Sequence, residues 1–125
     1  AMAKAAIAAG ADVIIGTHPH VVQGMDQIDG AVVLYSLGNL MFGGTHDMTT
    51  FDGLLVRLRL RFDALGRYEG AVVEPLPVLT SSSGMLDVNN FAPILAEGDA
   101  KERIWQKIQA DTPFALSEEM WFPRK

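Results

Sequence analysis

The chain has 125 residues, 49% of them hydrophobic and 20% charged, which suits one globular domain with a modest core and excludes a disordered chain. A net charge of −5 with scattered Lys and Arg makes nucleic acid an unexpected partner. The absence of cysteine removes disulfides, thiolate nucleophiles and cysteine-type zinc sites, and no apolar run approaches the ~20 residues of a membrane-spanning helix.

The opening "AM" reads as an added alanine ahead of an initiator methionine. "AKAAIAAG" then reads as an Ala-rich helix that lacks an N-cap and stops at Gly10, which suggests a piece of a larger protein. "ADVIIG" is a short, continuously apolar, β-branched run, the pattern of a strand covered on both faces. "AVVLYSLGN", Ala31 to Asn39, reads as a second such strand, preceded by a strand edge that closes in the turn Asp29-Gly30.

From Phe51 the texture changes. "GLLVRLRLRF" alternates, with Val56, Leu58, Leu60 and Phe62 on one face and Arg57, Arg59 and Arg61 on the other, the latter expected to be solvated. "DALGR" is a turn, "YEGAVVEPLPVL" returns as the hairpin partner, and Pro75 and Pro77 mark its far end as a sheet edge. After the connection "TSSSG", a helix is expected in "GDAKERIWQKIQADT", with Asp99 as N-cap, Glu102 completing a capping box, and Ile104, Trp105 and Ile108 as the core-facing stripe. The tail "PFALSEEMWFPRK" shows no periodicity. The expected organisation is a first part over 1–79 and a linker plus helical extension over 80–125.

Two of the three histidines flank a proline in "IIGTHPHVVQG". Pro19 disfavours a helical conformation at His18, and in an extended segment residues two apart face the same way. The triplet therefore projects two imidazoles in one direction from a strand end, where α/β sheets bind ligands. They could serve one borderline metal ion, or reach two ions held ~3.5–4 Å apart. Asp12, Asp26, Asp29 and Asp47 are near in sequence, but none stands at a spacing that marks a ligand. His46 reads as a loop residue, Ser36 lacks the G-x-S-x-G elbow of a serine hydrolase, and the glycines form no phosphate-binding motif. Asn39 reads either as a turn residue or as a polar group aimed at the site.

The stretch "AGADVIIGTHPHVVQGMDQIDGAVVLYSLGNLMF" resembles the C-terminal signature of bacterial capsule-synthesis proteins of the CapA, or PGA_cap (poly-γ-glutamate capsule), type, and "GLLVRLRLRFDALGRYEGAVVEPLPV" resembles that family's closing hairpin. The resemblance implies an α/β fold: the C-terminal portion of a metallophosphoesterase-like two-sheet sandwich, with an antiparallel hairpin and a C-terminal helix. It implies that His18 and His20 are ligands to divalent metal ions (Mn, Zn or Fe), with Asn39 supporting catalysis at the same site. The family's remaining ligands lie in D-x-H, G-D and G-N-H segments upstream, and no such segment precedes the histidine pair here. The family often places an acidic or amide residue just after its aromatic position, where this chain reads "FGG", Phe42 to Gly44.

The functional expectation is thus part of a capsule biosynthesis protein related to metal-dependent hydrolases, inactive by itself, with weak or no metal binding. The alternative is a non-catalytic module for capsule assembly or polymer binding. Expected partners are the missing N-terminal half of the fold, poly-γ-glutamate or another capsule polymer, and further copies of the chain. Self-association is expected because the apolar faces of Val13–Ile15 and Val32–Leu34 would be exposed. The resemblance suggests the cell envelope; the residues themselves assign no location.

Overall fold

A computed structural model describes residues 1–41, 49–85 and 88–125. Helix α1 (Met2–Ala8) has no side-chain cap and no buried residue, and Gly10 follows it at φ 102°, a left-handed conformation that suits glycine. Strand β1 (Val13–Ile15) runs parallel to β3 (Ala31–Leu34), and β2 (Met25–Ile28) pairs antiparallel with β3, giving a three-stranded sheet in the order β1-β3-β2. The β2–β3 turn is the expected one, with Asp29 at φ 50° and Gly30 at φ 88°, the paired positive values of a tight hairpin turn.

β3 is buried at every position, so both faces of this central strand are covered. β1 is not. Val13 and Ile14 are half-buried and Ile15 is 52% exposed, and among the described residues β1 is an edge strand that pairs only with β3. The expectation of a doubly covered first strand is therefore corrected, as is that of an exposed face at Val32–Leu34. The second apolar run is also shorter as a strand than its sequence suggests. It leaves the ladder after Leu34, and Leu37 and Gly38 make only isolated bridges, to Val22 and Gly53.

The second sheet is built on a long hairpin. β4 (Asp52–Phe62) pairs antiparallel with β5 (Tyr68–Leu79) along nearly its whole length. The alternation holds: Arg57, Arg59 and Arg61 are exposed, paired with Glu74, paired with Glu119, and stacked 5.0 Å from the Trp121 ring centre, respectively. Leu60 and Phe62, at the far end of the apolar face, project beyond the core and are about half exposed.

β5 is a central strand rather than an edge. β6 (Ile94–Leu95) pairs with Val78–Leu79, and β7 (Met120–Pro123) pairs with Gly70–Val73. Pro75 falls in the interval between those two partners, and Pro77 ends the pairing with the β6 segment, where its carbonyl accepts Ala96 N–H (2.9 Å) but it has no N–H to return. The prolines mark a gap in the pairing, not the border of the sheet.

Helix α2 (Gly98–Ala110) begins with Glu97 as its N-cap residue and no side-chain capping bond. The expected capping box does not form: Glu102 instead accepts a hydrogen bond from Gln106 one turn on. Ile104 and Ile108 are fully buried and Trp105 is half-buried. Ile104 and Ile108 join Val32, Leu34, Leu54, Val73 and Phe122 in one core between the two sheets and the helix. The tail contributes β7, whose Met120 and Phe122 point inward while Trp121 faces out. Among the described residues the architecture is α/β, with two sheets and two helices.

Candidate metal centre

The site grows from the parallel pairing of β1 and β3. Parallel strands end on the same side of the sheet, so the segments after Ile15 and after Leu34 leave together, at the position where α/β sheets bind ligands. Backbone bonds hold them there: Gly16 N–H donates to Leu34 O (2.7 Å), Leu37 N–H to Gly16 O (3.3 Å) and Gln23 N–H to Ser36 O (3.0 Å). The approach is close enough that a Cβ at Gly16 would stand 2.1 Å from Tyr35 O, so the position requires glycine. Leu54 N–H donates to Leu37 O (2.9 Å), which ties this loop to the second sheet as well.

From this anchored base the chain bends over residues 18–21, and His18 (φ 97°) and His20 (φ 59°) both adopt positive φ. The extended H-P-H segment expected from Pro19 is therefore not what forms. The bend delivers the same outcome by another route, with the two imidazole rings 6.4 Å apart between centroids and inclined at 46°. Both histidines are exposed. Positive φ at a non-glycine residue costs about 1–3 kcal/mol and persists where the surroundings enforce it, often at functional sites.

Asn39 is brought to the pair. Its Oδ1 lies 2.6 Å from His20 Nδ1. An amide oxygen only accepts, so in this contact Nδ1 is the donor. Ser36, 1% exposed, accepts a hydrogen bond from Gly38 N–H on Oγ, the role of a loop brace rather than a nucleophile. Tyr35 donates to Asp26 Oδ2 (3.3 Å); burial and then the Asp26 charge raise its pKa, which keeps the phenol protonated.

Two imidazoles on one ledge fit the donor chemistry of Mn, Fe or Zn ions. A ring centroid stands ~3.2 Å from an ion bound at ~2.1 Å, so two rings on one ion lie at most ~6.4 Å apart. The observed separation is at that limit, and it suits a pair of adjacent ions more easily. Among the described residues no group of three or more His, Asp or Glu side chains stands together to complete such a site. Asp12 is drawn off into an ion pair with Arg124, and Asp26 is held by Tyr35. His46, Asp47 and the "FGG" segment lie outside the described residues.

One charged cluster was not singled out in the sequence. Asp52, at the start of β4, is 3% exposed and receives Arg103 Nη2 (2.7 Å), Arg103 Nε (3.2 Å) and Lys107 Nζ (2.5 Å). Burial pushes its carboxyl up, but the hydrogen bonds and charges of Arg103 and Lys107 outweigh that and hold it below the usual range. The available signal was the i, i+4 spacing of Arg103 and Lys107, which puts both cations on one face of α2.

Residues 1–44 match the family "Bacterial capsule synthesis protein PGA_cap". The chain is 32% identical to "PGA biosynthesis protein CapA" of Bacillus subtilis (strain 168) over 120 residues, 94% of this chain and 28% of that protein. It is 36% identical to "Capsule biosynthesis protein CapA" of Bacillus anthracis over 113 residues, 86% of this chain and 26% of that protein. The chain thus spans about a quarter of the length of these relatives. No solved structure matches it. The chain thus matches the bacterial capsule synthesis protein PGA_cap family over its first 44 residues and is similar to these two capsule proteins over most of its own length.

Proposed function

We infer that this chain is part of a capsule biosynthesis protein whose fold and chemistry are those of a metal-dependent phosphoesterase, acting in the handling of a poly-γ-glutamate or similar capsule polymer. The capsule role is supported by the names of its relatives, and the metal role by one observation: two histidines at positive φ with rings 6.4 Å apart, one of them bonded to Asn39.

In this reading His18 and His20 hold a divalent ion, which when bound supplies Lewis-acid polarisation of a phosphoryl or carbonyl oxygen. Asn39 fixes the tautomer and orientation of His20, as carboxylates and carbonyls do behind most metal-binding histidines. Gly16 and the bridge from Gly38 to Gly53 hold the two loops in register. The two histidines are an incomplete donor set, so this chain binds metal weakly and the full relative binds it tightly.

The test is calorimetric titration of Mn²⁺ and Zn²⁺ into the chain and into the H18A/H20A double variant. Binding lost in the variant supports the reading; equal binding by both proteins overturns it. A second reading, polymer handling without turnover, is favoured by the lack of a third metal-ligating side chain beside the pair among the described residues. Chelator-sensitive hydrolysis of a phosphodiester by the full-length relative would exclude it.

A further inference from the structure

A second candidate site lies where α2 crosses the start of β4, at Asp52, next in sequence to the Gly38–Gly53 bridge. A cavity of about 590 Å³ opens there, within the range of small-molecule sites. Phe51, Leu79, Met85 and Ile94 line its apolar part. Its charged wall is Asp52, Arg103 and Lys107.

The charges do not balance. The Asp52 side chain is 4% exposed, while those of Arg103 and Lys107 are 51% and 44% exposed. Among the described residues of the cavity wall two cations share one carboxylate, which leaves one positive charge at the mouth of an apolar cavity, in a chain whose net charge is −5. Arg103 spends two donors on Asp52 and also feels Asp99, in the first turn of α2 and outside the cavity wall. Among the described residues Lys107 makes one ion pair, with Asp52, and an ammonium has three donors. Asp52 holds both cations over the opening, and its own backbone N–H is fixed by Thr50 Oγ1 at 3.1 Å.

We propose that this cavity is a binding site for an organic monocarboxylate, whose carboxylate pairs with Lys107 and Arg103 at the mouth and whose apolar part enters between Phe51, Leu79 and Ile94. One surplus charge matches a singly charged anion better than a dianionic phosphate, and the apolar walls select against a bare inorganic ion. The proposal is independent of the histidine site.

The test is an amide chemical-shift titration of the ¹⁵N-labelled chain with hexanoate, 1-hexanol and inorganic phosphate as probes. Hexanoate is expected to give saturable shifts at residues 50–52, 81–82 and 103–107, with hexanol about tenfold weaker, as loss of one charge-assisted hydrogen bond implies. K107Q leaves Arg103 on Asp52, so the fold is retained; it should weaken hexanoate about fivefold, and K107R should restore it. Hexanol binding as well as hexanoate, phosphate binding more tightly, shifts that do not cluster at the cavity, or an unchanged affinity in K107Q would each overturn the proposal.

Discussion

His20 and Asn39 stand nineteen residues apart in the chain and 2.6 Å apart in space, joined from Nδ1 to Oδ1. The contact exists because β1 and β3 are parallel neighbours whose following loops must leave the sheet side by side. If Asn39 orients His20, N39A should weaken metal binding about tenfold without changing the fold, and N39D, which keeps the acceptor, should recover most of it. Zinc calorimetry beside far-UV circular dichroism reads both effects. Equal affinities in wild type and N39A would reduce Asn39 to a turn residue.

The buried carboxylate of Asp52 predicts a pH signature. Hydrogen bonds from two cations lower its pKa in the folded chain below the ordinary value of 3.8, despite the opposing effect of burial. The stability it contributes is therefore complete above about pH 4 and is lost as pH falls through the lowered folded-state value. D52N should cost about 1–3 kcal/mol at pH 7, the range for a lost buried charged hydrogen-bond partner. Urea melts at pH 7 and near pH 2.5 should show the gap between wild type and D52N narrowing at the acid end. A constant gap would mean that the carboxylate's charge is not what matters.

Glycine substitutions separate strain from collision. Gly70 (φ 147°) has no room, since a Cβ would sit 2.4 Å from Phe122 O and 2.6 Å from the Trp121 ring. Gly66 (φ 76°) in the hairpin turn has nothing within 4 Å. G66A should cost about 1 kcal/mol for backbone strain, whereas G70A should cost roughly 3 kcal/mol or more by pushing β7 away. Similar midpoints for the two variants in thermal melts would argue that β7 is not docked on β5 as described.

Self-association should arise from the β1 edge. Ile15 is 52% exposed on a strand paired on one side among the described residues, a combination that invites pairing with another chain. Sedimentation at high concentration should show species above the monomer, reduced in I15K. A strictly monomeric wild type would contradict this.

The order of elements from α1 to β5, and the helix α2 after them, was legible in the residues. Hydrophobic period identified the strands of the β4–β5 hairpin, Asp29-Gly30 the tight turn between β2 and β3, and Ile104 and Ile108 the buried stripe of α2, because each depends on interactions within a few residues. The histidine pair was legible too, though for a different backbone reason than the one that operates. Other features were decided by tertiary structure. β7 is four residues long and has a partner only because Gly70–Val73 presents an open side to it. The interior position of β5 depends on that same pairing, so two prolines read as an edge until β6 and β7 are placed around them. Asp52 is fifty-one residues from Arg103, and no local pattern announces a charge pair between a strand start and a helix face. Sequence fixes what depends on neighbours along the chain; burial, register and charge pairing depend on which segments meet, and only the assembled fold determines that.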